Sequence, residues 1–266
     1  MTIVDRGFLE QALVAARVAA DAAATVIRHY WRSGVDVIVK SDDTPVTVAD
    51  REAELAIREI LTQALPEAGI YGEEFGVDDP KRELLWLVDP LDGTKSFVRR
   101  TPFFSTQIAL MWRGELVLGV SSAPVYGETM WAVRGGGAFL DGERVRIAST
   151  SEVAQASLST GNVKTMTADG RWDALGQLIR DSNRIRGYGD FCHYHLLARG
   201  AVDLVIESDV NILDIAALAV IVREAGGVFT DLEGNAPSLD TRSVLAGTPG
   251  LHAEALRRFA SVTIAR

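Results

Sequence analysis

The chain has 266 residues, 47% of them hydrophobic, and a formal net charge of −9. That composition is globular, with length enough for one large core or two modest ones, and its acidity excludes a basic nucleic-acid surface and an anionic membrane partner. The single cysteine, Cys192, excludes an intramolecular disulfide and fits a reducing, cytoplasmic setting.

The N-terminal stretch predicts a helix over residues 8–32. Its polar positions Glu10, Arg17, Asp21, Thr25, Arg28 and Arg32 recur at helical spacing, one wet stripe on an otherwise buried helix. Asp5, Glu10 and Asp21 also break any secretory h-region, and no apolar run along the chain reaches the ~18 residues of a membrane span. "VIVKSDDTPVTVAD" then reads as a short strand and a polar turn. Thr47 is an N-cap candidate with Asp50 three residues on, opening a helix that ends at Pro66. From residue 69 the texture turns to strands: "GIYGEE", "LLWLVD", "STQIALMW", "ELVLGVSSAP", "TMWAV" and "AFLDGERV", with Arg113-Gly114 as a hairpin turn.

After residue 150 the pattern is mixed. Strands are expected at "ASLSTG", "AVDLVIES", "VFTD" and "SVLAG", and helices at 171–181, 190–199 and 251–260. "DIAALAVIVREAGG" is apolar almost all round, so it reads as a deeply buried helix stopped by Gly226 or Gly227. The fold class is therefore α/β (α+β). An N-terminal half, residues 1–150, pairs helices with a mostly antiparallel sheet, and a C-terminal half, 151–266, carries a mixed one. No linker composition separates them, so they read as one compact unit.

Glu73, Asp89, Asp92 and Asp214 each sit where a strand or turn meets another element, the places where α/β proteins hold ligands. Asp89 and Asp92 flank Pro90 at the end of "LLWLVDPLDGTKSF". Two like charges held close repel unless a cation joins them, and oxygen-only ligation suits Mg²⁺. An EF-hand loop beginning at Asp89 would need an acid where Arg100 stands, and an Asp-nucleophile phosphatase needs its acids two apart rather than three. No Cys/His cluster of zinc type is present; His193 and His195, two apart, read as substrate-side or surface residues. Backbone N–H groups at Gly93-Thr94 can cradle a phosphate, and the Thr94 hydroxyl can orient a water.

These motifs carry a resemblance. "WLVDPLDGTKSF" resembles the first signature of the inositol monophosphatase family of Mg²⁺-dependent phosphomonoesterases, and "LDIAALAVIVREAGG" its second; "GEE" and "DDTPVTVAD" match as well. The resemblance implies a layered α-β-α-β-α fold, often a homodimer, and two or three Mg²⁺ ions. It implies metal ligation by Glu73, Asp89, Asp92, Asp214 and the Leu91 carbonyl, and water activation by Thr94 and Glu73 with Asp50 in support. Gly93 and Thr94 match the phosphate cradle, and Lys40 a basic residue at the rim. Leu213 stands where the family usually has Trp, which implies looser packing beside the site.

The segment before the second signature, "RGYGDFCHYHLLARGAVDLVIESDVNILD", bears on the substrate. Asp190, Glu207 and Asp209 suggest an anionic pocket for a cationic leaving group, although Asp190 also suits a helix cap. "GTKSFVRRTPF" and "YGDF" resemble the histidinol-phosphatase branch. The expectation is a histidinol-phosphate phosphatase of histidine biosynthesis. The alternative is an inositol monophosphatase or broad sugar-phosphate phosphatase. A non-catalytic regulator is disfavoured, because all four acids and Thr94 are retained.

Overall fold

The structure, a computed structural model, describes residues 4–34, 37–39, 45–79, 82–168 and 170–261. The chain divides into two compact units, Met1–Glu143 with Leu213–Ile221, and Arg144–Ile212 with Val222–Arg266.

The first unit opens with α1 (Arg6–Ser33), capped by the Asp5 carboxylate on the Phe8 N–H. Its small residues Ala12, Ala16, Ala19, Ala20 and Ala23 face the core, so neighbouring elements approach closely. The helix is less buried than its stripe suggested: Val14 and Val18, one turn apart, are 63% and 50% exposed. Strands β1 (Val37–Val39) and β2 (Pro45–Thr47) form a short antiparallel pair leading into α2 (Val48–Ala64). A capping box starts α2, with Thr47 and Asp50 satisfying each other's ends of the helix.

The following strands are β3 (Gly69–Gly72), β4 (Gly76–Val77), β5 (Leu84–Asp92), β6 (Ser105–Trp112), β7 (Glu115–Ala123), β8 (Glu128–Val133), β9 (Gly137–Leu140) and β10 (Glu143–Val145). Among the described residues their sheet is ordered β10-β9-β8-β7-β6-β5-β3-β4. From β5 to β9 each neighbouring pair is antiparallel; β3 runs parallel to β5. The β6–β7 hairpin turns on Arg113 and Gly114, both at positive φ, the two-residue geometry that matches strand twist. α1 and α2 pack their apolar faces on this sheet through Ile27, Ile57, Leu61, Trp86, Val88, Ile108 and Leu118.

A five-residue helix, α3 (Thr94–Val98), follows β5. Phe97 anchors it in an aromatic cluster, with ring centroids 5.1 Å from Phe104 and 5.6 Å from Trp31.

The second unit holds β11 (Ser157–Thr160), α4 (Arg171–Asp181), β12 (Arg184–Arg186), α5 (Asp190–Ala198) and β13 (Leu204–Ser208). After α6 (Ile212–Glu224) come β14 (Val228–Thr230), β15 (Ser243–Gly247) and α7 (Pro249–Ala260). The sheet order is β12-β11-β13-β15-β14, with β11 parallel to β12 and β13, and β15 antiparallel to β13 and β14. The expected mixed sheet is thus found, over a core of Leu158, Leu175, Leu178, Ile206, Leu245 and Phe259. Helix α6 is as buried as its sequence implied and ends at Glu224, two residues before Gly226 at φ +99° turns the chain away. Its residues 213–221 belong to the first unit. There the α6 backbone lies so close to β7 that a Cβ on Gly119 would sit 2.3 Å from the Ala217 carbonyl oxygen.

Among the described residues no helix is long and apolar enough to cross a membrane.

Candidate active site

Residues three apart in a regular strand point to opposite faces, because side chains alternate with period two. Asp89 and Asp92 escape that rule through a bulge. Asp89 pairs with Gln107 and Asp92 with Ser105, so three steps along β5 match two along β6. The extra residue restores parity and turns both carboxylates to one face. Pro90 removes a ladder donor where the register shifts, and its carbonyl accepts the Thr106 hydroxyl at 2.8 Å. The Asp89 side chain accepts the Leu91 N–H at 2.9 Å, which fixes the turn.

Asp214, in the first turn of α6, completes the cluster. Carboxylate oxygens of Asp89, Asp92 and Asp214 all lie within 4.8 Å of one another. Asp89 is 2% exposed. Burial, then the charges of Glu73, Asp92 and Asp214, then a hydrogen bond with Glu73, push its carboxyl well above the usual carboxylate range. Glu73 is therefore beside Asp89 but is not one of the three clustered acids; it lies exposed just past β3, its N–H donating to the Val88 carbonyl at 3.2 Å. The Asp92 carboxylate accepts the Ser105 hydroxyl at 3.3 Å, and Ser105 in turn accepts the Gln107 amide at 2.8 Å.

Thr94 and Asp50 meet here from distant parts of the sequence. The Thr94 hydroxyl lies 3.0 Å from one Asp50 oxygen and 3.1 Å from the Leu91 carbonyl. The other Asp50 oxygen accepts the Thr47 N–H at 2.8 Å and hydroxyl at 2.6 Å. Burial raises the Asp50 carboxyl, and the bonds from Thr47 and Thr94 offset only part of that. Gly93 sits at φ +88°, and a Cβ there would meet the Phe103 carbonyl oxygen at 2.6 Å; the position demands glycine for both reasons. Leu213 is 2% exposed, so the leucine in place of the expected tryptophan opens no gap to solvent.

In the second unit, Glu207 is 5% exposed and heavily engaged. One oxygen accepts the Tyr194 hydroxyl at 2.7 Å and lies 3.1 Å from His193 Nε2; the other accepts the Asn162 N–H at 3.1 Å. Burial alone would raise its carboxyl, but His193, Tyr194 and Asn162 together lower it. Gly161 makes room, since a Cβ there would lie 1.8 Å from the Glu207 carboxylate.

His193 and His195, read as substrate-side or surface residues, are both buried, which corrects the surface half of that reading. His193 bridges Ser159 and Glu207, and His195 packs edge-on to Phe191. The His193–Tyr194 pair is what the sequence reading missed; an acid on one strand and a His-Tyr pair on an apolar helix was the available signal. Asp190 and Asp209 are non-glycine residues at positive φ, +45° and +58°, strain of a kind that concentrates at functional sites. Asp190 lies inside the first turn of α5 rather than at its N-cap, which is Gly189. Asp209 accepts the Ser208 hydroxyl at 3.2 Å and the Thr165 N–H at 3.3 Å. Lys40 lies outside the described residues.

The family model of the inositol monophosphatases matches residues 9–263. The chain belongs to the inositol monophosphatase family. It is similar to a histidinol-phosphatase of Streptomyces coelicolor, 40% identical over 253 residues that cover 91% of this chain and 94% of that protein. A histidinol-phosphatase of Mycobacterium tuberculosis is 42% identical over 225 residues, 83% of this chain and 86% of that one. Among solved structures, an inositol monophosphatase from Zymomonas mobilis superposes with a TM-score of 0.84 at 33% identity, covering 94% of this chain and 98% of its own. This family member is a phosphoric monoester hydrolase, and its fold is that of the inositol monophosphatases.

Proposed function

We propose that the chain is a Mg²⁺-dependent histidinol-phosphate phosphatase. The observation that carries the reading is the bulged end of β5, which gathers Asp89, Asp92 and Asp214 beside the Thr94–Asp50 pair. Carboxylates this close are stable together only with a proton or cation among them, and an all-oxygen donor set fits a hard divalent ion. Glu73, Asp89, Asp92, Asp214 and the Leu91 carbonyl are the residues that would hold two or three such ions. Bound there, Mg²⁺ would supply Lewis-acid stabilisation of the phosphate oxygens and lower the pKa of a water.

The chain's own groups do the rest. Thr94 has one hydroxyl proton, committed to Asp50 or to the Leu91 carbonyl, so its lone pairs accept a hydrogen bond from the attacking water. Asp50, locked by Thr47, fixes that hydroxyl's direction. Glu73, the exposed acid of the group, takes the water's proton as general base. The N–H groups of Gly93 and Thr94 receive the phosphate. Water attacks phosphorus in line, the ester bond to the alcohol oxygen breaks, and that oxygen takes up a proton from a second water, whose place in the balance is made good when Glu73 returns its proton to solvent; no covalent enzyme intermediate forms.

For the alcohol, the identities to two histidinol-phosphatases support histidinol phosphate. Its ammonium would be met by Asp190 and Asp209; Glu207, with three protein partners already, would set the pocket's shape more than its charge. The reaction would belong to histidine biosynthesis in the cytoplasm, carried out by a homodimer. A second reading, an inositol monophosphatase or broad sugar-phosphate phosphatase, is favoured by the likeness to the Zymomonas mobilis enzyme. Phosphate release from histidinol phosphate tests the proposal: it should require Mg²⁺ and stop in chelator. Full activity in chelator would refute the metal, and no release at any Mg²⁺ concentration would refute the substrate.

A further inference from the structure

Glu54 lies one helical turn beyond Asp50 on α2 and is 0% exposed, yet the mechanism above gives it no part. A carboxylate taken wholly out of water is costly unless it is paired and hydrogen-bonded. Glu54 is both. Its oxygens accept the Glu74 N–H at 2.7 Å and the Phe75 N–H at 3.3 Å, and Arg58 Nε stands 2.8 Å away. Gly72 clears its path: a Cβ there would lie 1.9 Å from the Glu54 oxygen.

Arg58 extends the grip. One guanidinium nitrogen reaches both Asp78 oxygens at 2.9 Å, and another donates to the Gly76 carbonyl at 2.7 Å. Its guanidinium also lies 5.7 Å from the centroid of the Phe75 ring. The turn after β3 is thereby hung on one face of α2. Glu73 is held from both sides, by its own N–H on the Val88 carbonyl and by the next residue's N–H on Glu54. Val88 immediately precedes Asp89, so the same contacts fix Glu73 relative to the acid it bonds.

We propose that Glu54, braced by Arg58 and Asp78, is a positioning residue that presets Glu73 beside Asp89 for divalent-cation binding. The inference rests on reading the carboxylate cluster as a cation site. The test is calorimetric titration of Mn²⁺ into chelator-stripped full-length protein, wild type against Glu54→Gln and Asp78→Asn. Supporting contacts behind a ligand are worth roughly 10- to 100-fold in metal affinity, and Glu54→Gln should weaken Mn²⁺ by that factor while its circular dichroism stays that of the wild type. The Mg²⁺ concentration for half-maximal activity should rise in step, with kcat at saturating Mg²⁺ recovering to within a few-fold. Asp78→Asn, at the solvent end of the brace, should weaken Mn²⁺ about two- to fivefold, the worth of an exposed ion pair.

A purely structural Glu54 would lower thermal stability and leave the Mn²⁺ affinity of the folded protein unchanged. Unchanged affinity in folded Glu54→Gln overturns the inference; should that variant not fold, unchanged affinity in Asp78→Asn does so. A wild type that binds no Mn²⁺ overturns the cation site itself, and this inference with it.

Discussion

Asp92→Asn separates what the carboxylate cluster does for stability from what it does for catalysis. Asparagine keeps nearly the same shape and still offers the Ser105 hydroxyl an acceptor, now at 3.3 Å to the carboxylate. What it removes is a charge within 4.8 Å of two others. At that separation a fully ionised pair repels by about 3.5 kcal/mol with an effective dielectric of ~20. Asp92 and Asp214 are only half-buried, and Asp89 keeps its proton to higher pH, so screening leaves about 1–2 kcal/mol. In a chain of this length that is a rise in Tm of about 2–8 °C without divalent metal. The same substitution should lower kcat by roughly 10²–10⁴-fold. Thermal unfolding in chelator and in Mg²⁺ reads both sides: Asp92→Asn should melt above the wild type in chelator and gain less from Mg²⁺. A variant that melts lower in chelator and responds to Mg²⁺ as the wild type does would refute the repulsion argument and remove Asp92 from the metal site.

Gly119→Ala would drive a Cβ into the Ala217 backbone; overpacking of this kind costs about 1–3 kcal/mol, and the displaced α6 should weaken Mg²⁺ activation, whereas an unchanged urea midpoint would contradict the close approach. Asp190→Asn should lower kcat/KM for histidinol phosphate roughly ten- to a hundredfold while glycerol 2-phosphate stays within a few-fold; equal losses would make Asp190 structural. His252, 6% exposed and 2.9 Å from the Thr230 hydroxyl, has its pKa lowered from the usual 6.5 by burial. As pH falls below 6.5 the unfolded chain takes up a proton the folded protein resists. Stability should therefore fall through that window and level off below the folded pKa. His252→Asn should flatten that part of the urea-midpoint profile, and an unaltered slope would discount the effect.

Much of the fold was legible because long elements write their burial into sequence. Helix α6 has almost no polar face, and the Thr47–Asp50 box marks the start of α2 three residues apart. Short elements carry no such period. The five residues of α3 and the three of β12, Arg-Ile-Arg, are held by tertiary contacts rather than by pattern. The clustered acids Asp89, Asp92 and Asp214 stand out in their motifs, but why a spacing of three brings two of them together does not. The bulge exists only relative to β6, and no spacing within β5 reveals it. Glu207 shows the same limit: its partners His193, Tyr194 and Asn162 are well separated from it in sequence, so its enclosure by them is visible only in the folded chain. On α1, Val14 and Val18 read as core from their chemistry and are solvent-facing in the folded chain.

The most direct test of the account is the ratio of kcat/KM for histidinol phosphate to that for inositol 1-phosphate, measured on the wild-type protein at saturating Mg²⁺. Both esters share the chemistry at Asp89, Asp92, Asp214 and Thr94, so the ratio isolates recognition of the alcohol. One charge-assisted contact to the ammonium is worth about 1.5–3 kcal/mol, and the account predicts a ratio of at least roughly ten in favour of histidinol phosphate. A ratio below one would contradict it and leave the inositol-phosphate reading in its place.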